Sequence, residues 1–446
     1  MEGRSLLRGE THLLDGECLS LDGVLNKALA DDPHFGDREA LRLHDGQSIS
    51  FAELNRKATE LAARLATAVQ VSPPSGDKIV AVNLLPDAEL IVSLLAIFKI
   101  GAAYLPLDPT FPADRVAHIL QDARPILLVT AGSILRTCSF ATVVVEQNVP
   151  VFDLEETESN EATVLEETKE GDDKGKSLAA VLYTSGSTGI PKGVRLEHRT
   201  ILQRLNWQWR TFPFASTEVG CFKTALTFVD SIAEIWAPLL IGQPVEIVAK
   251  AVTQDTQRFI DLLDRCKITR LVLVPSLLKA MLTLLKSERA GRADPPLQHL
   301  KMWVCSGEIL TGELLLEFYD CFPAGTIICN YYGSTEVMGD VTYAAFQSRD
   351  DVLSTLIDDK TPIGTTTIQV VVWNSFSITS IQSHLGKPLD NCAVYLLDSA
   401  MELVDVGEIG EIYVAGSHIC SGYVRNREME RFVTNHIEST PGWSFE

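Results

Sequence analysis

The sequence predicts an α/β protein with two subdomains built on parallel sheets, followed by a smaller, incomplete β-rich subdomain. Three observations carry this. Short apolar runs alternate with helical patterns through most of the chain, as expected of strands joined by crossover helices. One such run leads into a loop rich in glycine and hydroxyl residues and closed by a lysine, Tyr183-Thr-Ser-Gly-Ser-Thr-Gly-Ile-Pro-Lys-Gly193. From about Ala344 onward the texture changes to short strands separated by turns.

Residues 1–45 read as a polar lead-in with one helical pattern, Leu21 to Ala30. Ser48-Ile-Ser-Phe-Ala-Glu-Leu54 opens a long amphipathic helix through about Thr67, at the head of a first α/β segment over 46–152. Within it, Ile79 to Leu85 reads as a buried strand, Ala88 to Ile100 and Pro112 to Ala123 as helices, and Ile126 to Thr130 as a strand. Residues 153–176 are dominated by Glu, Asp and Lys and are expected to form a solvated linker. A second α/β subdomain, 177–345, carries the lysine loop and resumes the alternation. It has a helix near Gln257 to Arg265, a strand at Arg270 to Val274 and a helix at Ser276 to Lys286. In the last segment, 346–446, Ala393 to Asp398 and Glu408 to Ala415 read as strands. No side chain between Lys360 and Lys387 is charged, with His384 taken as neutral, and the run Thr365 to Gly386 has neither a helical nor a strand period.

With 446 residues, 46% hydrophobic and 22% charged, the chain is long enough for two or three packed units of ordinary globular composition. Its net charge of −21 argues against nucleic acid or an anionic membrane as a partner. No uninterrupted apolar window reaches transmembrane length, and Met1 to Asp15 is polar, unlike a signal peptide. The nine cysteines form no CxxC pair, and Cys305, Cys321 and Cys329 lie within apolar runs. That usage fits a reduced, cytoplasmic protein.

The lysine loop has the chemistry of a polyphosphate cradle. Gly186 and Gly189 let backbone N–H groups approach an anion closely, Thr184, Ser185, Ser187 and Thr188 add hydroxyl donors, and Lys192 adds a mobile positive charge. It is not a Walker A loop, because the glycine-to-lysine spacing differs and Gly193 stands where Ser or Thr should follow the lysine. A plain Gly/Ser surface turn is the simpler alternative.

Further motifs follow in order along the chain: Ser50-Phe-Ala-Glu-Leu54, Lys99-Ile-Gly-Ala-Ala-Tyr-Leu-Pro-Leu-Asp108, the lysine loop, Asn330-Tyr-Tyr-Gly-Ser-Thr-Glu336, and Gly407-Glu-Ile-Gly-Glu-Ile-Tyr-Val414 with Gly422-Tyr423. Over nearly its whole length the chain resembles the adenylate-forming (AMP-binding) superfamily, specifically the adenylation domains of nonribosomal peptide synthetases. The resemblance implies the fold of that family's large N-terminal domain, and a reaction in which a carboxylate attacks the α-phosphate of ATP to give an acyl-adenylate and pyrophosphate. It also implies roles for matched residues. Thr184 to Gly189 and Lys192 hold the β- and γ-phosphates, Thr335 bonds the α-phosphate, and Tyr332 offers a ring face to adenine. Asn330, Gly333 and Ser334 belong to the same nucleotide motif, and Glu336 is a hard oxygen ligand for Mg2+. Lys192, Thr335 and Glu336 are the candidate catalytic residues.

Thr227-Phe-Val-Asp-Ser-Ile-Ala-Glu-Ile-Trp236 fits the family's substrate-pocket motif. Counting back from Gly242 puts Val229 where members that activate α-amino acids carry an aspartate for the α-ammonium group. Here the acid is Asp230, one position on, and a second acid, Asp340, follows Gly339 at the far end of the same pocket. An α-ammonium buried beside Val229 would lack a counter-ion, at a cost of several kcal/mol. An amine one methylene further out meets Asp230, Asp340 or both, which is the pattern expected for a β-amino acid, with β-alanine the smallest. Ala233, Val304, Ser306 and Tyr331 align to the rest of the pocket, and Tyr331 fills space in a way that favours a small substrate. The alternative is that Asp230 caps a turn.

Asn206-Trp-Gln-Trp209, the segment Phe222 to Glu234, Val304-Cys-Ser-Gly-Glu308 and the segment Tyr332 to Val337 resemble the insect β-alanyl-amine synthases. These load β-alanine onto the phosphopantetheine of a carrier domain and pass it to biogenic amines such as dopamine or histamine. The chain ends at Pro441-Gly-Trp-Ser-Phe-Glu446, before the family's Tyr-Arg-Thr-Gly-Asp motif, its C-terminal subdomain and the carrier domain. The resemblance therefore implies impaired adenylation by this truncated chain. Removing Thr365 to Gly386 joins Pro362-Ile-Gly364 to Lys387-Pro-Leu-Asp-Asn391 and restores a continuous family segment, as expected of a retained short intron; a genuine variable loop is the alternative. Two other functions compete. An acyl-CoA synthetase for a small carboxylic acid is opposed by Asp230 and Asp340, and a catalytically silent nucleotide-binding fragment is favoured by the early end.

Overall fold

The computed structural model describes residues 6–12, 20–43, 46–69, 77–156, 174–184, 190–288, 296–355, 386–405, 408, 410–426 and 431–437. Its first large sheet has six strands in the order Val151–Asp153, Leu127–Thr130, Ile79–Asn83, Ala103–Pro106, Leu178–Thr184, Lys192–Glu197. Every neighbouring pair is parallel except the last, an antiparallel hairpin. Both faces are covered, so successive residues of one strand enter different cores. Val80 and Val82 join the core of helices Phe51–Val69 and Ala88–Lys99, while Ile79 and Ala81 join that of helix Ala113–Ala123. That is why these strands read as unbroken apolar runs.

The second large sheet has five strands in the order Arg270–Leu273, Met302–Cys305, Ile327–Tyr332, Thr342–Phe346, Lys387–Pro388, the first two pairings parallel and the last two antiparallel. Helices Thr256–Arg265, Pro275–Glu288 and Gly312–Cys321 share one core with this sheet. On the other face Val304, Cys329 and Tyr331 pack with Trp207 and with Val394 and Leu396 of a small antiparallel sheet. That small sheet is Leu6–Arg8, Cys392–Leu397, Glu411–Gly416. Its first strand comes from the lead-in, where three residues give no periodic signal. A fourth sheet joins Gly220–Phe222, Val245–Ile247, Glu39–Arg42 and Ser48–Ser50.

The long first-segment helix starts at Phe51 and runs to Val69, three residues later than its sequence suggests, because Ser48–Ser50 pairs as a strand. The Ser50 hydroxyl accepts from the Glu53 N–H at 3.2 Å and caps the helix. The strand expected over Ile79 to Leu85 stops at Asn83, close to Pro86. Of the expected linker, 157–173 lies outside the described residues, as does the run Thr365 to Gly386 apart from Gly386 itself. Gly386 sits at φ +73°, and a Cβ there would lie 2.4 Å from the Tyr343 carbonyl oxygen. No helix among the described residues is long and apolar enough to cross a membrane, and the described cysteines are free thiols.

Candidate active site

Thr184 and Lys192 face each other as the last pair of the antiparallel hairpin, so the chain turns back on itself where a Walker loop would enter a helix. Lys192 is the first residue of the returning strand and is buried. Ser185, Gly186, Ser187, Thr188 and Gly189, at the tip, lie outside the described residues. Gly193 has a packing reason to lack a side chain. A Cβ there would stand 2.7 Å from Val424 Cγ2 and 2.8 Å from the Tyr183 ring, whose hydroxyl donates to Asp122 Oδ2 at 2.8 Å.

The hairpin holds the segment around Tyr423. Val194 bridges to Tyr423, and the Arg195 N–H donates to the Gly422 carbonyl at 3.0 Å. The Lys192 ammonium lies 5.8 Å from the centre of the Tyr423 ring, and the Tyr423 hydroxyl donates to Glu336 Oε1 at 2.9 Å. Three motifs far apart in sequence thus converge on one line, Lys192 to Tyr423 to Glu336. Burial, and then the Glu336 charge, push the Tyr423 phenol well above its ordinary range, so it remains a donor at neutral pH.

Glu336 is carried by a single tight turn after the strand Ile327–Tyr332. The Ser334 carbonyl accepts from Val337 and Gly339 N–H groups at 3.2 and 2.8 Å, folding the turn back on itself. A Cβ on Gly333 would lie 2.2 Å from the Gly339 carbonyl oxygen. Asn330 is buried within the strand, whereas Tyr332, Gly333, Ser334 and Thr335 are partly accessible. The Ser334 Oγ is buried with no hydrogen-bond partner among the described residues. Glu336 has a neutral phenol as its partner and forms no ion pair among the described residues. A carboxylate without a cation, an orphaned hydroxyl and the neighbouring Thr335 make a hard-oxygen donor set that fits Mg2+ carrying phosphate oxygens.

Of the residues expected to line a substrate pocket, Val229, Asp230, Gly339 and Asp340 meet where helix Asp230–Leu239 faces the Gly339–Asp340 turn. Val229 precedes the helix and packs on Gly339, whose φ is +92°; a Cβ there would lie 3.3 Å from Val229 Cγ1. Ala233 lies one turn along, partly accessible. Val304 and Ser306 stand at the end of the strand Met302–Cys305, and the Tyr331 ring meets Trp207 edge-on at 5.5 Å. Asp230 occupies the first turn of its helix but makes no hydrogen bond or ion pair among the described residues, so it does not act as a cap. Burial, then the charges of Asp340 and Glu234, push its carboxyl up to about 7.

The nearby cations are already engaged. Arg204, on helix His198–Thr211, is 2% exposed and donates to Asp340 Oδ2 from Nη2 at 2.6 Å and from Nε at 3.1 Å. The same guanidinium reaches Gln208 Oε1 at 3.1 Å and lies 4.6 Å from the Trp207 ring centre. Asp340 Oδ1 is buried without a hydrogen-bond partner; burial raises this carboxyl and Arg204 opposes the shift. Lys223 is paired with buried Glu234 at 3.2 Å, and Glu234 also accepts from the Lys223 and Thr224 N–H groups and the Thr224 hydroxyl. Sequence reasoning singled out Asp230 and Asp340 but not Arg204, the Lys223–Glu234 pair or the Tyr423–Glu336 hydrogen bond. Arg204 left one signal, a charge on the apolar face that Ile201 and Leu205 define. A surface hollow of about 580 Å³ beside Leu120, Gln147 and Arg425 contains none of these residues.

Comparison with known proteins identifies the family. The family described as AMP-binding enzyme matches residues 30–424. The beta-alanyl-bioamine nonribosomal peptide synthetase ebony of Drosophila melanogaster is 45% identical over 400 residues, covering 87% of this chain and 42% of the fly protein. A dimodular nonribosomal peptide synthase of Bacillus subtilis (strain 168) is 30% identical over 405 residues, covering 88% of this chain and 15% of that protein. The chain thus spans less than half the length of these relatives. Among solved structures, the nonribosomal peptide synthetase FmoA3 in its AMPPNP-bound form has a TM-score of 0.75 at 22% identity, covering 95% of this chain and 40% of that one. The Klebsiella oxytoca NpsA N-terminal subdomain, in complex with 3-hydroxyanthranilyl-AMSN, has a TM-score of 0.68 at 21% identity, covering 94% and 93%. At those identities the likeness speaks to the fold, which is that of the N-terminal domain of adenylate-forming enzymes. With a family match over most of its length, the chain belongs to the AMP-binding enzymes and is an adenylate-forming ligase.

Proposed function

We propose that the carboxylic acid this ligase activates is a β-amino acid, β-alanine being the smallest, and that ATP is its co-substrate. The observation that carries the reading is Asp230, a partly accessible carboxyl lacking any hydrogen-bond or ion-pair partner among the described residues, one residue beyond neutral Val229. An α-ammonium would face the Val229 side chain. Moving the amine one methylene out brings it to a carboxylate that needs a cation. An amine-free acid would leave Asp230 uncompensated, which speaks against the acyl-CoA synthetase reading. The fly relative, named for β-alanyl-bioamine synthesis, supports the same substrate.

In this reading Lys192, Thr184 and the loop Ser185 to Gly189 bind the β- and γ-phosphates, and Thr335 binds the α-phosphate. Asn330, Tyr332, Gly333 and Ser334 shape the nucleotide site, with the Tyr332 ring against adenine. Glu336, oriented by Tyr423, holds Mg2+, which neutralises phosphate charge when bound. Val229, Ala233, Val304, Ser306, Tyr331 and Gly339 wall the amino-acid pocket. The β-alanyl group then passes to the phosphopantetheine of a carrier domain and on to a biogenic amine, in the reducing setting of the cytoplasm that free cysteines suit.

ATP–pyrophosphate exchange tests this with β-alanine, L-alanine and propionate side by side. Exchange preferring β-alanine by about 100-fold or more is expected, from the several kcal/mol that an unpaired buried ammonium costs. L-alanine or propionate as the better substrate would overturn the reading. Folded protein that binds ATP but exchanges with none of the three would favour a silent nucleotide-binding fragment.

A further inference from the structure

Three ionic features crowd the amino-acid pocket: the Arg204–Asp340 pair, the Lys223–Glu234 pair and lone Asp230. Two are internally neutral, which leaves Asp230 as the carboxyl that lacks a counter-ion among the described residues. We propose that Arg204 is a specificity-determining residue that reserves Asp340 for itself, so that Asp230 alone receives the substrate ammonium and the pocket admits one positive charge. The proposal rests on the β-amino-acid reading and deepens it.

The geometry of Arg204 argues for a fixed role. Two of its nitrogens converge on a single oxygen of Asp340, a third holds Gln208, and the guanidinium carbon lies 4.6 and 5.4 Å from the ring centres of Trp207 and Tyr331. At 2% exposure it has no solvent to turn toward. Through Oδ2, Asp340 could bind an ammonium only by breaking this pair and leaving the guanidinium buried without its anion; through the unpartnered Oδ1, the ammonium would be a second cation on a carboxylate whose single charge Arg204 already balances. His418, fully buried, adds no charge, because burial and then Arg204 hold its imidazole neutral. Asp230, by contrast, is partly accessible and has nothing to release before it can bind.

The test measures exchange kinetics on the full chain for wild type, Asp340→Asn, and the double variant Arg204→Met with Asp340→Asn. Asp340→Asn strands the Arg204 cation beside the incoming ammonium. It should raise the β-alanine KM by about 100-fold or more, leave the ATP KM unchanged, and shift preference toward propionate. The double variant removes both charges and keeps the net charge of the pocket, so the β-alanine KM should return to within about tenfold of wild type. A double variant that binds ATP normally but remains as poor with β-alanine as Asp340→Asn would overturn the proposal, because Asp340 would then be a direct ammonium ligand. If Asp340→Asn does not fold, the double variant against wild type decides alone; if the double variant does not fold, Arg204→Gln with Asp340→Asn replaces it. A wild-type chain that exchanges well but shows no preference for β-alanine removes the underlying reading instead.

Discussion

Replacing Asp230 with Asn should make the free protein more stable and the enzyme much worse. In the folded chain the carboxyl is pushed from 3.8 up to about 7, chiefly by burial. The folded state therefore keeps this proton up to about pH 7, whereas the unfolded chain releases it near 3.8. Between those values the folded state binds more protons, so the group's contribution to stability falls as pH rises through the window. The full difference corresponds to about 4 kcal/mol above pH 7. Asn keeps the shape and cannot ionise, so it should recover part of that, about 1–3 kcal/mol, at pH 8 and roughly 40% as much at pH 5, where only the first part of the window has been crossed. Exchange with β-alanine should fall by about 10²–10⁴ in kcat/KM, from the 3–5 kcal/mol that breaking a buried ion pair costs. Melting curves of both proteins at pH 5 and pH 8, together with exchange assays, test this. A melting difference that does not grow between the two pH values, or an exchange loss under tenfold, would refute the account of Asp230 as an ionised carboxylate awaiting its cation.

Tyr423→Phe removes the donor to Glu336 Oε1, and the Mg2+ concentration for half-maximal exchange should rise about 10- to 100-fold, as expected for losing the hydrogen-bond partner of a metal ligand. Glu234→Gln leaves Lys223 buried without its anion and should lower stability by about 3–5 kcal/mol, read by urea denaturation. Gly193→Ala drives a methyl into Val424 and the Tyr183 ring and should cost about 1–3 kcal/mol; Val424→Ala in the same chain should recover a measurable part of it.

The elements that surfaced in sequence are those whose causes are local. Helix Ala88–Lys99 begins with Asp87 accepting from the Ala88 N–H, and the doubly covered strands declare themselves as apolar runs. The Val229 and Asp230 offset is likewise legible, because a one-residue shift along a motif needs no knowledge of distant partners. Arg204 is the opposite case. Its meaning depends on Asp340, 136 residues away, and nothing near Arg204 announces that partner. The hairpin also needed the structure: sequence reading placed Lys192 at the close of a loop, while cross-strand pairing makes it the start of a strand. The loop tip and nearly all of the uncharged run fall outside the described residues, but Gly386 shows what the junction requires. Its positive φ and close approach to Tyr343 call for glycine immediately before Lys387. Joining Gly364 directly to Lys387 supplies the same residue type, so either version of the chain meets that demand.

The strand Leu6–Arg8 bears on how this protein is to be handled at the bench. It covers the outer edge of Cys392–Leu397, and Gly9 fits so closely against Leu389 that no side chain could replace its hydrogen. The family match begins only at residue 30. An expression clone trimmed to that boundary would bare a row of unpaired N–H and C=O groups along an apolar strand, an invitation to edge-to-edge association. Poor solubility of such a clone would then reflect where it was cut, and restoring the first dozen residues would be a sounder remedy than changing tag, host or temperature.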